Sequence, residues 1–187
     1  MRRVTTANRT RELRTERLRM RRARACDLSA IHAIMSDAEV MRFWSTPPHV
    51  DLSQTEAWLA GMIAADAAHE SDEFVIEYDG VVIGKLGTWR PPELGFIISR
   101  HCWGRGFAKE ALQAYIKHVK RRGSDELTAD VDPRNAACLR LLEKCGFVET
   151  GRETATYVVN GRPCDSVYLQ LDVQLYAEGE KRDETGT

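Results

Sequence analysis

Residues 97–111, Ile-Ile-Ser-Arg-His-Cys-Trp-Gly-Arg-Gly-Phe-Ala-Lys-Glu-Ala, are the most informative segment for the fold. It begins as an apolar strand at Ile97, passes through Gly104 and Gly106, and continues with helical spacing over residues 107–121. The two glycines let the backbone bend tightly and approach a ligand closely. A helix that starts directly behind them offers unpaired N–H donors and a partial positive charge, which together suit a phosphate. The spacing is neither that of a P-loop nor G-x-G-x-x-G, so by itself it fits a plain strand-to-helix turn equally well.

A second informative stretch, Asp-Val-Asp-Pro-Arg-Asn-Ala-Ala-Cys-Leu-Arg-Leu-Leu-Glu-Lys-Cys-Gly-Phe, occupies residues 130–147. A short strand ends there, and Asp132-Pro133 is expected to cap and start a helix, with proline at its first position. Gly146 is expected to end that helix in the left-handed conformation. Asn135 can offer both a donor and an acceptor to an amide-rich ligand, or it can simply cap the helix.

The remaining segments predict an α/β domain with a mixed sheet. Hairpin turns are indicated at Asp79-Gly80 and Asn160-Gly161, because both dipeptides tolerate positive φ angles. Asp27 is expected to cap a first helix, and Ser53, with Glu56 three residues later, is expected to cap a second one. The predicted order is strand, two helices, three strands, helix, strand, helix and two strands, with no internal repeat.

Composition narrows the possible functions. The chain has 187 residues, is 43% hydrophobic and 29% charged, and carries a formal net charge of −1. This balance predicts no nucleic-acid partner and no membrane partner. The five cysteines lack metal-ligand or disulfide spacing, so we expect no metal site and a cytoplasmic, reducing location.

The two ends of the chain differ from its middle. Ten arginines fall within the first 24 residues, where Glu12 and Glu16 are the acidic residues. A solvated basic arm over residues 1–13 explains this better than a mitochondrial presequence, which would be poor in acids. The domain is expected to occupy residues 14–173, and the polar residues 174–187 are expected to form a disordered tail.

Taken together, the two stretches resemble the GCN5-related N-acetyltransferases, in particular the branch of the ribosomal-protein N-terminal acetyltransferases. Residues 101–106 match that family's (Gln/Arg)-x-x-Gly-x-(Gly/Ala) pattern, and residues 135–147 match its Asn-x-x-Ser helix. Residues 15–18, 93–96 and 165–168 also fit, so the resemblance extends from about Arg14 to Asp172. It implies a single α/β domain with a mostly antiparallel mixed sheet, whose central parallel strands splay apart and are flanked by helices.

The resemblance also implies acetyl-CoA as cosubstrate and a set of contacts to it. Strand backbone would hold the pantetheine arm and the acetyl carbonyl, the glycine-rich turn would wrap the pyrophosphate, and Asn135 would contact the pantetheine from the other side. The implied cofactor-binding residues are Phe96, Ile97, Ile98, Gly104, Arg105, Gly106, Phe107, Ala108, Lys109 and Asn135. His101, Lys109 and Cys138 depart from the usual residues of the family, and Cys138 replaces a serine that some relatives are thought to use as a proton donor.

Three residues are candidates for proton transfer. Glu93 begins the strand that would hold the acetyl group, where burial would make it a useful base, although it also fits an ordinary strand-edge glutamate. Cys138 is a candidate acid, yet it falls on the same helical stripe as Leu141, Leu142 and Cys145, as a core thiol would. Tyr168 is a second candidate acid. A covalent acetyl-cysteine route is disfavoured because no base is evidently placed to activate Cys138.

The acceptor is expected to be an amine, either a small molecule or a protein N-terminus. The resemblance points to residues 43–49 as a wall of its site, and the flanking Glu39 and Asp51 would favour a cationic acceptor. The chain is expected to be a monomer or a homodimer. A coenzyme-binding regulatory module without turnover is the alternative from another functional class.

Overall fold

The computed structural model describes residues 10–177. Eight strands and four helices make up this part of the chain. They are β1 (Glu12–Arg14), β2 (Leu18–Arg21), α1 (Leu28–Met35), α2 (Leu52–Ala67), β3 (Asp72–Tyr78), β4 (Val81–Arg90), β5 (Glu93–Ile98), α3 (Phe107–Arg121), β6 (Glu126–Val131), α4 (Ala136–Lys144), β7 (Val148–Val159) and β8 (Arg162–Asp172). Short 3-10 turns cover Ala25–Asp27 and Arg100–Cys102.

All eight strands form one sheet in the order β1-β2-β3-β4-β5-β6-β8-β7. The neighbours pair antiparallel except β5 and β6, which run parallel and share a single register pair, Glu93 with Thr128. One further bond, from the N–H of Thr128 to the carbonyl of Pro92 at 3.1 Å, holds the same end. The two strands therefore diverge toward their carboxyl ends. The predicted mixed, mostly antiparallel sheet with splayed central strands is confirmed.

Helices cover both faces of the sheet, and the alternation of side chains along β3 explains why. Phe74 and Ile76 point to a core shared with α3 and α4, whereas Val75 points to a second core shared with α1. All three residues are fully buried. The apolar run of β3 is limited to these three residues, and the flanking carboxylates of Asp72, Glu73 and Glu77 are buried with cationic partners.

Both predicted hairpin turns are present, with positive φ angles at Asp79, Gly80, Asn160 and Gly161. The predicted helix starts at Ser53 and at Asp132-Pro133 are wrong. The cap of α2 is Asp51, whose carboxylate accepts from the N–H of Gln54, and α4 starts after Asn135.

The carboxylate of Asp132 accepts instead from the backbone N–H and the guanidinium of Arg134, so it is not available to α4. Asp27 does precede α1, but its side chain makes no cap bond there. That carboxylate accepts from the guanidinium of Arg21 and from the N–H of Arg24.

The ends of the described part are held by the fold. The sheet begins at Glu12, inside the segment expected to be a basic arm, and residues 1–9 lie outside the described residues. At the other end, the ammonium of Lys120 donates to the carbonyls of Gln174 and Tyr176, both at 2.9 Å. Residues 178–187, which make up most of the predicted tail, also lie outside the described part. None of the helices in residues 10–177 has the length and apolar character needed to cross a membrane.

Candidate active site

A groove of about 460 Å³ opens where β5 and β6 diverge. It is bordered by the end of β5, the glycine-rich turn, the start of α3 and the start of α4. Nine of the ten predicted cofactor-binding residues line it, namely Phe96, Ile97, Ile98, Gly104, Gly106, Phe107, Ala108, Lys109 and Asn135. The fold therefore brings residues that were predicted from two separate sequence motifs onto one concave surface.

The glycine-rich turn has the geometry of an anion site. Gly104 and Gly106 have φ angles of 72° and 80°, in the left-handed region that favours glycine. Gly106 is the N-cap of α3 and contributes no side-chain cap bond, so the first N–H groups of the helix face the groove without a competing side chain. The indole of Trp103 donates to the carbonyl of Ile98 at 2.8 Å and thereby fixes the turn against β5.

Arg105 is the one predicted cofactor residue that does not line the groove. Its guanidinium lies 4.7 Å from the ring centre of Phe107 and 4.9 Å from that of Tyr78. Its carbonyl accepts from the guanidinium of Arg17 at 3.0 Å, and Arg17 is in turn paired with Glu110. The side chain of Arg105 thus braces the outer side of the turn.

Asn135 takes the capping role that the sequence left open, and its side-chain amide keeps donors for the other role. Its side-chain oxygen accepts from the N–H of Cys138 at 3.2 Å and caps α4. No acceptor within residues 10–177 takes a hydrogen bond from its side-chain nitrogen, which lies in a residue that lines the groove. A cap that uses only the oxygen leaves two N–H donors for a ligand.

Cys138 also lines the groove, and its other side packs against the core. Burial raises the pKa of its thiol to about 12. The group is therefore a neutral thiol throughout the ordinary pH range, and a covalent route through its thiolate has no support here.

A larger pocket of about 800 Å³ adjoins the groove. The two cavities share Phe43 and Trp44, and each is lined by a different part of β5. Leu94 and Gly95 line the pocket, whereas the following residues of the strand line the groove. Most of the predicted acceptor wall, residues 43–46 and His49, lines this pocket. Glu39 lines the groove instead, and Asp51 caps α2.

Glu93 and Tyr168 lie in this pocket, apart from Cys138. The carboxylate of Glu93 accepts from the guanidinium of Arg90 at 3.0 Å and stays partly exposed. The hydroxyl of Tyr168 donates to the carboxylate of Glu153 at 3.0 Å, and this bond, together with desolvation, raises the pKa of the phenol.

Sequence reasoning missed Asp130, which also lines the pocket. It stands directly opposite Tyr168 in the β6–β8 ladder, so the two side chains share a face of the sheet. Asp130 is exposed to solvent on one side, and partial desolvation raises the pKa of its carboxyl; the negative charges of Glu93 and Glu153 add to that effect, and a hydrogen bond with Ser166 partly offsets it. The period-two spacing of Asp130 and Asp132 at the end of a strand was the available signal.

A buried ion pair at the pocket wall was missed as well. The ammonium of Lys85 on β4 donates to the carboxylate of Glu73 on β3, and both residues are almost completely buried. The same ammonium lies 5.6 Å from the ring centre of Trp44 and 5.7 Å from that of Trp58. Within residues 10–177, no cluster of three or more His, Cys, Asp or Glu side chains is arranged to hold a metal ion.

Comparison with known proteins agrees with this geometry. A family model described as an acetyltransferase (GNAT) domain matches residues 17–148. The N-acetyltransferase p20 of Bacillus licheniformis is 26% identical over 174 residues, which cover 88% of this chain and 98% of that protein. An L-methionine sulfoximine/L-methionine sulfone acetyltransferase of Pseudomonas paraeruginosa is 29% identical over 172 residues, which cover 82% of this chain and 94% of that protein.

A solved structure shares the fold at lower sequence identity. It is an acetyltransferase of Salmonella typhimurium that modifies the N-terminal serine of ribosomal protein L7/L12. It superposes with a TM-score of 0.77 at 18% identity, over 84% of this chain and 96% of the other. Because the family model spans most of the domain that contains the groove and the pocket, the chain belongs to the GNAT family of acetyltransferases and is an acetyl-CoA-dependent N-acetyltransferase.

Proposed function

We propose that the chain acetylates a primary amine by direct attack of that amine on bound acetyl-CoA. The observation that carries the proposal is the meeting of two cavities along β5, with the groove on one side and the pocket on the other. Adjoining cavities would let both substrates bind at once, so that the amine reaches the thioester without an acetyl-enzyme intermediate. Holding the two reactants together in this way removes much of the entropic cost of a bimolecular step.

The groove would bind the coenzyme through backbone groups. N–H groups around Gly106 and the start of α3 suit the pyrophosphate, and Lys109 adds a positive charge there. The end of β5, from Phe96 to Ile98, is where β6 has already diverged, so strand N–H groups there have no ladder partner on that side. Such groups would orient the acetyl carbonyl and stabilise the oxyanion that forms on it. The side-chain nitrogen of Asn135 would hold the pantetheine from α4.

Glu93 would act as the base, through a water molecule. It takes a proton from the ammonium, the neutral amine attacks the carbonyl carbon, and a tetrahedral oxyanion forms. On collapse the carbon–sulfur bond breaks and the nitrogen loses its second proton. One of the two protons ends on the coenzyme A sulfur and the other goes to solvent, so the products are an amide, free coenzyme A and one proton.

Cys138 and Tyr168 remain the proposed donors to the departing thiolate, and their surroundings favour a different role for each. Cys138 lies on the groove side, where its neutral thiol can give the sulfur a weak hydrogen bond. Tyr168 lies on the pocket side, and its hydroxyl must leave Glu153 before it can donate to a substrate. A thiolate with an ordinary pKa of about 8.5 is a good leaving group near neutrality, so full proton transfer is not required for its departure.

The acceptor would be a small amine or a protein N-terminal amine. The related Pseudomonas enzyme acts on methionine sulfoximine and methionine sulfone, and the Salmonella enzyme acts on a protein N-terminal serine. A pocket of about 800 Å³ falls in the range of sites that enclose drug-sized ligands.

Calorimetric titration with acetyl-CoA, followed by an assay of thiol release with a panel of amines, tests the proposal. The decisive variant is Gly106→Trp, which would strain the left-handed N-cap of α3, bring a bulky side chain against Arg17 and so distort the anion site. Gly123→Trp is the matched control, because Gly123 has a similar φ of 79° and open surroundings but lies outside the groove. Binding that is lost only in Gly106→Trp, with thiol release in wild type, supports the proposal. Binding without thiol release from any amine would instead identify a regulatory coenzyme-binding module.

A further inference from the structure

The pocket of about 800 Å³ is the proposed acceptor pocket. Lys85 is the one Lys or Arg side chain in residues 10–177 that lines it, and its charge is neutralised by an ion pair. Its side chain is 3% exposed, and its ammonium is paired with Glu73, whose side chain is 6% exposed. The rings of Trp44 and Trp58 flank the same ammonium. His49, also in the wall, has its pKa lowered, first by burial and then by the nearby His32, so it adds no positive charge near neutral pH.

The other charged groups of the pocket are all carboxylates. Asp132 is bound by Arg134, and Glu93 is bound by Arg90. Asp130 is the one pocket carboxylate with no ion-pair partner in residues 10–177, and it lies near the carboxylates of Glu93 and Glu153. The pocket is therefore negative where β5 and β6 diverge, and none of its lining residues within 10–177 supplies a free cation.

The rest of the wall is apolar and aromatic. Trp44, Trp58 and Trp89 line it together with Met62. Aromatic faces attract cations as well as apolar groups, and they add to the recognition of an ammonium that sits beside a carboxylate. An acceptor that enters this pocket meets an apolar wall for its body and an acidic end for its amine.

We infer that the acceptor is a primary amine with an aromatic or alkyl body and no carboxylate, and that Glu73 sets this selectivity by neutralising Lys85. This inference deepens the proposed function and rests on it. Asp130 receives the ammonium of the acceptor next to Glu93. The carboxylate of an amino acid acceptor would lose its hydration among other carboxylates. Lys85 is the cation that could compensate for this loss, but it is paired with Glu73.

Matched acceptors that differ only in the carboxylate test the inference. We expect the wild-type kcat/KM to be about 10- to 100-fold higher for tryptamine than for tryptophan, and likewise for phenethylamine against phenylalanine, because a second carboxylate placed beside Asp130 and Glu93 without a cation opposes binding. Glu73→Gln frees Lys85 and should reduce this preference by about tenfold or more. Asp130→Asn should lower kcat/KM for both amines while acetyl-CoA affinity stays the same. Glu56→Gln, which removes a carboxylate from the outer face of α2, is the control and should change neither ratio.

The outcomes separate this inference from the proposed function. Loss of acetyl-CoA binding in wild type would refute the proposed function itself. Binding of acetyl-CoA with equal or better turnover of the amino acids, or with turnover of no member of either pair, would refute the inference about the acceptor. Should Glu73→Gln fail to fold because Lys85 is left unpaired, the wild-type ratios and the Asp130→Asn variant still decide the question.

Discussion

Replacement of Cys138 by alanine tests whether this thiol transfers a proton during catalysis. Burial raises its pKa to about 12, whereas the coenzyme A thiolate has an ordinary thiol pKa of about 8.5. Full transfer from Cys138 to that thiolate is uphill by about 3.5 pKa units, or about 5 kcal/mol at about 1.4 kcal/mol per unit. A hydrogen bond from the neutral thiol contributes about 1 kcal/mol instead. We therefore expect Cys138→Ala to lower kcat by about tenfold at most.

The assay is steady-state thiol release as a function of pH, combined with calorimetric measurement of acetyl-CoA affinity. We expect the pH profile of kcat to keep its shape in Cys138→Ala, because the thiol does not ionise in the measured range. Cys145→Ala is the matched control, since Cys145 is a buried thiol on the same helical stripe and lies outside the groove. It reports the effect of removing packing volume near α4 without removing a group from the site.

The reasoning would be refuted by a loss of more than about 100-fold in kcat for Cys138→Ala, with acetyl-CoA affinity and thermal stability retained, because proton transfer by a positioned acid contributes 10²- to 10⁴-fold. A basic limb of the pH profile that disappears in the same variant would point to the same conclusion. Such a result would mean that coenzyme binding brings the pKa of Cys138 down toward that of the product thiol.

Three further results are expected. Glu93→Gln should lower kcat by about 10²- to 10⁴-fold with unchanged acetyl-CoA affinity, and activity within threefold of wild type, on the order of a weak hydrogen bond, would exclude Glu93 as the base. The pKa of Asp72 is lowered to about 2, because hydrogen bonds from His118 and Arg22 outweigh burial. Its stabilisation of about 2.5 kcal/mol is therefore present above pH ~4 and lost as the pH falls through ~2, so denaturant unfolding of Asp72→Asn should lack this slope. Gly84→Ala would place a methyl group 2.2 Å from the carbonyl of Ile97 and should weaken both acetyl-CoA binding and thermal stability; an unchanged melting temperature would contradict this packing.

Local signals in the sequence were sufficient for the elements of the cofactor groove. Gly104 and Gly106 predicted the turn, because a left-handed φ angle costs glycine the least energy. Both glycines adopt such an angle. The Asp-Gly and Asn-Gly dipeptides predicted two hairpins for the same reason. Helix caps were less predictable. Asp132 has the chemistry of a cap, but its carboxylate is bound by Arg134, and Asn135 caps α4 instead.

The residues of the acceptor pocket could not be predicted from local sequence signals in the same way. Lys85 and Glu73 are twelve residues apart on neighbouring strands, and neither has a local pattern that marks it as part of a site. Asp130 belongs to the pocket because β6 lies between β5 and β8, which brings Glu93 and Tyr168 to its two sides. A titratable side chain has no fixed chemistry until its neighbours and its burial are known.

The strand–turn–helix of the glycine-rich segment and the asparagine at the head of α4 could be predicted from sequence alone, since both depend on backbone conformation within a few residues. The sequence also determined the family, through ordered motifs spread over most of the domain. The three-dimensional arrangement of residues 10–177 was needed to show how the two cavities meet along β5, which pocket carboxylate lacks a cation there, and that Lys85 is neutralised. These features depend on strand order and on the divergence of β5 from β6, which bring together charges that are distant in the chain.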